Sequence, residues 1–238
     1  MPVHERYRDY QEDQRDFFDA LISEEWTTYD LPDWDESRKF EIKKLFDRVQ
    51  PKTVLDIGCG CGFHDQEMAT YPFLDSIVGI DYSSKSIEAA NKYYPHPKVK
   101  RFVADLRSYD EGKYDLVVSW QVFEHLSDPS AYLANAVRLL NPDGYLAIST
   151  PNKYRVRNIL RMLSGKSPEL CDQQHFTEYS VSEIRRITSS YPLTFSGRFG
   201  YRLSGLPGVE RLKNQRRLEL GQYFRWVADV FCILFRKA

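Results

Sequence analysis

Between Thr53 and Ser149, short apolar runs alternate with longer segments of helical periodicity. This alternation is typical of βαβ units, in which parallel strands form one sheet and helices pack against its faces. The apolar runs are rich in Val, Ile, Leu and Phe, which predicts strands buried on both faces. The predicted strands are residues 53–57, 76–80, 99–103, 114–119 and 144–149, and the predicted helices are residues 63–70, 84–94 and 129–140.

Local signals mark the ends of several elements. Asp128 is placed to cap the helix that starts at Pro129, and the run Asn-Pro-Asp-Gly at 141–144 predicts a turn after that helix. Ser180 and Glu183 form a capping box that opens a further helix to about residue 190. Beyond Ser149 the other predicted elements are a helix at 156–163, a basic amphipathic segment at 209–225, and strands at 193–199 and 229–236.

The chain is divided by composition into three parts. Residues 1–50 are predicted to form a helical cover, with apolar side chains at core-like spacing. Residues 51–150 form the ligand-binding core, and residues 151–238 supply an acceptor-site insertion and the final strands of the same domain. The apolar side chains of the cover are Phe17, Phe18, Leu21, Ile22 and Trp26.

Charge is distributed unevenly along the chain. Residues 1–37 hold 12 acidic and 3 basic residues, whereas residues 151–238 hold 7 acidic and 16 basic ones. The two ends can attract each other, or the basic part can face an anionic acceptor, such as a phosphorylated or nucleotide-linked molecule. The basic residues are spread out rather than clustered, so we do not expect a nucleic-acid partner.

Other features of the sequence predict a soluble cytoplasmic protein. No apolar run approaches the ~20 residues that span a bilayer, and residues 1–10 lack the apolar stretch of a signal peptide. The four cysteines, at positions 59, 61, 171 and 232, form no disulfide framework, since two of them lie in one glycine-rich turn.

That turn follows the first predicted strand and contains Asp56, Gly58, Cys59 and Gly60. Glycines at this point let the backbone turn tightly and approach a ligand beside a helix N-terminus. A dinucleotide-binding turn would need glycine at position 63, which is Phe63 here. An acidic residue before the turn also repels a pyrophosphate but suits a cationic sulfonium ligand that carries an amino group. Both details favour S-adenosylmethionine.

Two more aspartates follow the next two strands. Asp81, with Tyr82 beside it, lies 21 residues after Gly60 and is placed to accept both hydroxyls of a ribose. Asp105, followed by Leu106, could meet the exocyclic amine of adenine. Any one of these aspartates could simply cap a helix, but three at successive strand ends favour a nucleoside site.

Four stretches, residues 54–62, 79–83, 114–125 and 139–146, resemble the core of class I S-adenosylmethionine-dependent methyltransferases. They are most similar to the ubiquinone-biosynthesis O-methyltransferase type and its relatives that act on small molecules and glycans. The resemblance implies an α/β fold with a Rossmann-like, seven-stranded, mostly parallel sheet, an antiparallel last strand, and helices on both faces. It also implies that Arg38 holds the cofactor carboxylate and that Trp120 and Gln121 line the cofactor site.

The resemblance has one informative departure. The ubiquinone-type enzymes carry a Glu and then Glu-His three residues on, associated with a divalent metal. Here Gln121 takes the first position, before Glu124 and His125. Losing a carboxylate weakens a site for a hard cation, so we expect no metal. The alternative roles for His125 are a general base or a structural residue.

Two histidines could take the proton of an acceptor hydroxyl during methyl transfer. His125 follows the fourth strand, at the edge where open α/β sheets bind ligands. His175 precedes the Ser180 capping box, in the region expected to build the acceptor pocket. Glu178 and Tyr179 are candidates for substrate contact, and either histidine could instead be a surface or capping residue.

The predicted activity is methyl transfer from S-adenosylmethionine to an oxygen of a small-molecule or glycan-type acceptor. N-methylation of an amine or amino sugar and a catalytically silent partner subunit are the alternatives. The basic segment 209–225 is expected to pack on the core near the site, although it could also rest on a membrane surface. The sequence does not indicate an oligomeric state.

Overall fold

The computed structural model describes residues 14, 16–20, 22 and 32–238. Its centre is a seven-stranded sheet with the strand order β3-β2-β1-β4-β5-β7-β6. β7 pairs antiparallel with both β5 and β6, and the remaining pairs are parallel. This confirms the predicted sheet with an antiparallel last strand. The strands are β1 (Thr53–Ile57), β2 (Ser76–Asp81), β3 (Val99–Val103), β4 (Tyr114–Trp120), β5 (Leu140–Pro151), β6 (Leu193–Tyr201) and β7 (Val230–Lys237).

Helices cover both faces of the sheet. The longer ones are α1 (Pro32–Phe46), α2 (Phe63–Met68), α3 (Ser84–Tyr93), α4 (Ser130–Leu139), α5 (Val156–Leu163), α6 (Val181–Thr188) and α8 (Asn214–Tyr223), with a short α7 (Pro207–Glu210). One apolar core joins the sheet to α4 and α6, through residues such as Tyr132 and Ile184. The other joins it to α1, α2 and α8, through residues such as Ile42, Met68 and Leu218.

Most predicted boundaries agree with the structure within one or two residues. The capping box is present: Ser180 Oγ accepts a hydrogen bond from the Glu183 backbone, and the Glu183 carboxylate accepts one from Ser180 N. Asp128 accepts a hydrogen bond from Ser130 N, so α4 starts one residue later than predicted.

The predicted turn at 141–144 is wrong. The chain remains in strand β5 from Leu140 to Pro151, and its pairing with β4 jumps from Tyr114↔Leu140 to Leu116↔Tyr145. Asp143 has a φ of 61°, which bends the strand locally. The Asn141 side chain donates to the Asp115 carboxylate on β4, so the residues that favour a turn form a bulge instead.

The prediction that every strand is buried on both faces is wrong for β3. This strand lies at the edge of the sheet, and Phe102 and Val103 are 41% and 55% exposed. An apolar run alone does not distinguish a central strand from an edge strand.

The basic segment 209–225 divides into buried and exposed side chains. Leu218 packs in the core beside α1, as expected, whereas Leu212, Tyr223, Phe224 and the following Trp226 are exposed. Within the described ranges, no helix combines the length and apolar character that a bilayer span requires. Of the side chains predicted to pack from the N-terminal cover, Leu21 and Trp26 lie outside the described residues.

Two glycines allow α8 and the turn after it to pack closely against the end of β6. A Cβ at Gly221 in α8 would lie 2.2 Å from the backbone nitrogen of Arg202. A Cβ at Gly200 would lie 2.9 Å from the backbone of Arg225. The backbones of α8 and of the turn after it therefore approach β6 more closely than any side chain would allow.

We expect Gly221→Ala to lower the free energy of unfolding by about 1–3 kcal/mol, because the added methyl group meets backbone atoms that cannot move independently. The measurement is urea denaturation followed by circular dichroism. Gly208→Ala is the matched control, since a Cβ at Gly208 has no neighbour within 4 Å. Equal stability of the two variants would contradict the close approach.

Candidate functional site

The glycine-rich turn is fixed to the neighbouring strand. The backbone N–H groups of Gly58 and Cys59 both donate to the Ile80 carbonyl at the end of β2. Gly58 and Gly60 adopt φ values of 75° and 52°, in the left-handed region that glycine tolerates. A Cβ at Gly58 would lie 2.4 Å from Val122, whereas one at Gly60 would meet nothing within 4 Å. The turn is therefore closely packed on one side and open on the other.

Asp56, at the base of this turn, is a buried acid without a hydrogen-bond donor. Its side chain is 1% exposed, and neither carboxylate oxygen has a partner among the described residues. Burial raises its pKa well above the usual value, and the nearby Asp65 raises it further. A cationic or amine-bearing ligand would supply the missing donor.

A buried ion pair lies beneath the turn, which the sequence analysis did not identify. Arg101 on β3 donates from Nε to Asp65 on α2 at 2.8 Å, and both side chains are at most 1% exposed. Arg101 also donates to the carbonyls of Ala90 and Tyr94 at the end of α3. Among the described residues, the Arg101 guanidinium is the ion-pair partner of Asp65, and Asp56 lies buried nearby without a hydrogen-bond partner.

Asp81 connects the turn to β2. Its carboxylate accepts hydrogen bonds from Gly60 N at 2.9 Å and Ser83 N at 2.8 Å. Burial raises its pKa, and those backbone hydrogen bonds oppose the rise. Tyr82 follows Asp81 directly, after the last residue of β2. Asp81 therefore lies at the predicted end of β2, with Gly60 at hydrogen-bond distance.

Asp105 is engaged by its own neighbour. Arg107 donates from its backbone and from its guanidinium to the Asp105 carboxylate. This hydrogen bonding lowers the pKa of Asp105. Leu106 packs against the apolar core, and its carbonyl accepts a hydrogen bond from Asn135. An adenine amine at Asp105 would have to share the carboxylate with Arg107.

A second polar network on the α1 side was also missed. Glu41, 3% exposed, accepts hydrogen bonds from Ser149 at 2.8 Å and Tyr201 at 2.5 Å. Its other oxygen lies 2.9 Å from Nε2 of His64. The His64 ring stacks on Trp120 at a centroid distance of 4.9 Å, and Trp120 Nε1 is buried without an acceptor among the described residues. Neither Glu41 nor His64 belongs to a sequence motif that could have revealed it.

Two further predicted cofactor residues lie beside this network. Gln121 has a φ of 56° and donates to Ser149 Oγ at 3.2 Å, so it points to the Glu41 side of the sheet. The Arg38 guanidinium lies 4.8 Å from the centre of the Phe63 ring and 3.3 Å from Asp35. Arg38 is therefore adjacent to the helix that follows the glycine-rich turn.

The structure brings His125 and His175 together with Glu124. His125 Nδ1 lies 2.9 Å from the Gln174 carbonyl, which makes Nδ1 the protonated nitrogen. Burial lowers the pKa of His125 to about 4 and raises that of Glu124 to about 7. Glu124 is fully buried; one oxygen accepts from Thr150, and the other has no hydrogen-bond partner among the described residues and lies 4.0 Å from His175 Nε2.

His175 is held from its other side by Glu178. His175 Nδ1 lies 3.1 Å from Glu178, which is also bound by Arg155 and by the backbone of Cys171. Burial would raise the pKa of Glu178, but these hydrogen bonds outweigh it and lower the pKa to about 2. An ionised Glu178 accepts a hydrogen bond from His175 Nδ1, and His175 Nε2 lies 4.0 Å from a carboxylate oxygen of Glu124.

Tyr179 does not share this position. It is 9% exposed and packs in the apolar core, with its ring 5.0 Å from that of Phe123. Of the two predicted substrate contacts, Glu178 thus lies beside His175, whereas Tyr179 lies in the core.

One ligand atom each from Glu124, His125 and His175 lie within 4.8 Å of one another. Histidines whose Nδ1–H groups are held by a carbonyl or carboxylate are typical of metal sites, and the unpartnered Glu124 oxygen completes such a donor set. Two imidazoles and one carboxylate suit a transition ion better than Mg²⁺. The residues present therefore fit a divalent cation, with His175 as a ligand from a distant part of the chain.

Three residues of the N-terminal segment contact both the strand end at Asp81 and the cluster of Glu124, His125 and His175. The Phe18 ring contacts the His125 ring edge-on at 5.4 Å, and Asp19 accepts a hydrogen bond from Ser83 beside Asp81. Gln14 donates to the side chain of Gln174 at 2.7 Å. This segment therefore connects the ribose side of the site to the histidine cluster.

The strand order, the glycine-rich turn and the acidic strand ends define a nucleoside-binding α/β enzyme of the class I methyltransferase type. Residues 34–194, more than half of the chain, match the family model described as a methyltransferase domain, and the chain belongs to that family. The recognition of a class I S-adenosylmethionine-dependent methyltransferase is therefore confirmed.

Individual relatives agree with this assignment. The chain is 27% identical over 171 residues to the ubiquinone biosynthesis O-methyltransferase of Caulobacter vibrioides, covering 66% of this chain and 65% of that enzyme. The chain therefore spans less than two thirds of the length of this curated relative.

Two solved structures share the fold. The N-methyltransferase NodS of Bradyrhizobium japonicum superposes with a TM-score of 0.58 at 17% identity, covering 97% of each chain. The magnesium protoporphyrin IX methyltransferase of Synechocystis gives 0.59 at 15%, covering 99% of this chain and 98% of that one. Both contain S-adenosylhomocysteine. S-adenosyl-L-methionine is the cofactor of this chain, as predicted.

We expect Arg101→Met to lower the free energy of unfolding by about 3–5 kcal/mol, because it leaves Asp65 buried beside Asp56 without a counter-charge. The double variant Asp65→Asn/Arg101→Met should recover part of that loss in urea denaturation. Lys43→Met, which removes an exposed pair with Asp47, should have no measurable effect. A double variant no more stable than Arg101→Met would contradict the compensation.

Proposed function

We propose that this chain transfers a methyl group from S-adenosylmethionine to a hydroxyl oxygen of a small-molecule or glycan-type acceptor. The observation that carries the proposal is the convergence of Glu124, His125 and His175 at the carboxyl end of β4. The two Nε2 atoms, together with a Glu124 oxygen that has no hydrogen-bond partner among the described residues, form a site that can receive a hydroxyl group. The likeness to an O-methyltransferase supports oxygen as the acceptor atom.

The cofactor would be held by the residues of the turn. Asp81 would accept the ribose hydroxyls, and Asp56 would face the cationic end of the molecule, where its unpartnered oxygens meet the missing donor. Gly60 leaves open space for the close approach, and Arg38 and Trp120 would bind the carboxylate side. Methyl transfer from a sulfonium then depends mainly on in-line alignment and exclusion of water.

The acceptor would meet the histidine cluster. Gln174 and Glu178 orient the two imidazoles, so that Nε2 of His125 or His175 can accept the hydroxyl proton as the oxygen attacks. Alternatively, a divalent cation held by Glu124, His125 and His175 would occupy these Nε2 atoms and would lower the pKa of a hydroxyl group beside it, in place of a histidine base. The basic residues after position 150 favour an acceptor with negative charge.

N-methylation is the second candidate, and the shared fold with an N-methyltransferase is the observation in its favour. An amine acceptor needs no activation beyond loss of its proton. A cation bound at Glu124 to lower the pKa of a hydroxyl group would therefore not be needed for N-methylation. A panel of phenols, sugars and amines, assayed by release of S-adenosylhomocysteine, distinguishes the two. Turnover on amines alone would overturn the oxygen proposal, and cofactor binding without any turnover would support a silent partner subunit.

We expect Asp81→Asn to weaken binding of S-adenosylmethionine about tenfold or more, because charge-assisted hydrogen bonds contribute ~1.5–3 kcal/mol. Isothermal titration calorimetry measures the change. Asp110→Asn, an exposed substitution beyond the strand ends, should bind like the parent. Unchanged affinity in Asp81→Asn would remove the ribose contact.

We expect His125→Ala and His175→Ala each to lower kcat about a hundredfold, with the Kd of S-adenosylmethionine unchanged, because they act on the acceptor. His96→Ala, in the loop before β3, is the control. If a cation is required, a chelator should abolish turnover, Zn²⁺ or Mn²⁺ should restore it, and Glu124→Gln should weaken ion binding in calorimetry. Activity that is unchanged by the chelator but lost in His125→Ala would indicate that His125, without a cation, accepts the proton of the acceptor hydroxyl.

A further inference from the structure

Three arginines meet on the side of the molecule formed by β6, α6 and the turn after α8. The Arg198 guanidinium lies 3.5 Å from the centre of the Trp226 ring, and Arg225 lies 5.8 Å from it. Arg185 lies 4.4 Å over the Phe195 ring. Tyr223 and Phe224 lie at the end of α8, just before Trp226 in the chain. We call this region the arginine–aromatic surface, and it comprises Arg185, Arg198, Arg225, Tyr223, Phe224 and Trp226.

The three guanidinium groups lack a counter-charge. Among the described residues, none of Arg185, Arg198 and Arg225 forms an ion pair with a carboxylate. Arg198 Nη2 is buried without a hydrogen-bond acceptor in the same part of the chain. Burial and the charges of Arg225 and Arg185 lower the pKa of Arg198. A surface on which three cations repel one another attracts an anionic partner.

The aromatic side chains beside these cations are exposed. Tyr223 is 81% exposed, Trp226 68% and Phe224 46%. Their backbone is firmly held, because Asn152 donates hydrogen bonds to the carbonyls of Trp226 and Ala228. Large apolar side chains displayed together by a fixed turn indicate a surface that binds a partner.

We propose that the arginine–aromatic surface docks onto a bilayer that contains anionic phospholipid. Tyrosine and tryptophan favour the headgroup level, where one end of the side chain is apolar and the other is hydrated. The exposed side chains of Arg185 and Arg225 meet the phosphates at the same level and add to the attraction of an anionic leaflet, whereas the partly buried Arg198 lies over the Trp226 ring. An anionic bilayer thus contacts both the arginines, through its phosphates, and the exposed aromatic rings, at the headgroup level.

A nucleic acid and a second copy of this chain fit this surface less well than a bilayer. A nucleic acid would stack its bases on free aromatic faces, but Arg198 covers a face of Trp226. A second copy of this chain would bring the same three uncompensated cations to the interface.

The position of the surface suits a docked enzyme. Asn152, which holds the Trp226 carbonyl, follows β5 directly and pairs with Tyr179 on its other side. Tyr179 is adjacent in the chain to Glu178, which orients His175. The surface and the histidine cluster are therefore connected through one rigid strand end. The proposal itself is independent of the acceptor atom.

The test is co-sedimentation of the full chain with vesicles of phosphatidylglycerol mixed with phosphatidylcholine, compared with vesicles of phosphatidylcholine alone. We expect binding to the anionic vesicles to be tighter by about tenfold or more, and to weaken with salt. Trp226 fluorescence should shift to the blue on binding, and this shift should be missing in Trp226→Phe.

Two variants separate charge from apolar contact. Arg185→Gln/Arg198→Gln/Arg225→Gln should lose the preference for anionic vesicles, and Tyr223→Ser/Phe224→Ser should weaken binding about tenfold. Lys39→Gln/Lys43→Gln/Arg216→Gln removes the same net charge from exposed pairs elsewhere and should bind like the parent. Trp34→Ser, an exposed tryptophan on α1, is the aromatic control.

Several results would overturn the proposal. These are absence of binding to anionic vesicles, equal binding by the parent and the triple arginine variant, and equal weakening in the Lys39/Lys43/Arg216 control. Dissociation of a dimer by Tyr223→Ser/Phe224→Ser in light scattering, without vesicle binding, would assign the surface to a second copy. Circular dichroism of each variant verifies folding, and none of these readouts depends on methyl transfer.

Discussion

The ion pair between Asp65 and Arg101 is the contact on which the cofactor site depends. It joins α2 to β3 beneath the glycine-rich turn, and through Ala90 and Tyr94 it also fixes the end of α3. Without this guanidinium, two carboxyl groups would lie buried together with no counter-charge. The Asp56 carboxyl therefore stays without a donor, and available to a cationic ligand, because Arg101 compensates the neighbouring Asp65. Arg101 does this without needing to contact that ligand.

The core of the fold and the cofactor side of the site were predictable because their signals are contiguous. Strand, turn and helix succeed one another within a few residues around Gly58, and Asp56, Asp81 and Asp105 each lie within two residues of a strand end. The prediction failed where tertiary pairing overrides local preference. The residues at 141–144 favour a turn, yet pairing with β4 draws them into a bulged strand, and β3 carries an apolar sequence at an exposed edge.

The acceptor side was only partly predictable, because its contacts join distant parts of the chain. His125 and His175 were each identified, but their meeting depends on Phe176 and Thr177, whose backbone N–H groups donate to the Glu124 carbonyl. That long-range contact brings a second imidazole beside His125 and Glu124, whereas the Gln121 side chain points to Ser149. Glu41 and His64 had no motif, and only the packing of α1 against the sheet brings them together.

The segment around Phe18 has a consequence for the order of events at the site. It contacts His125 at one point and Ser83, next to Asp81, at another. Phe18 and Asp19 are adjacent in the chain, so a ligand that displaces Asp19 from Ser83 on the ribose side would also disturb the contact of Phe18 with His125. If the chain has the proposed function, binding of the methyl donor at the ribose side would therefore change the surroundings of the imidazole that the acceptor meets.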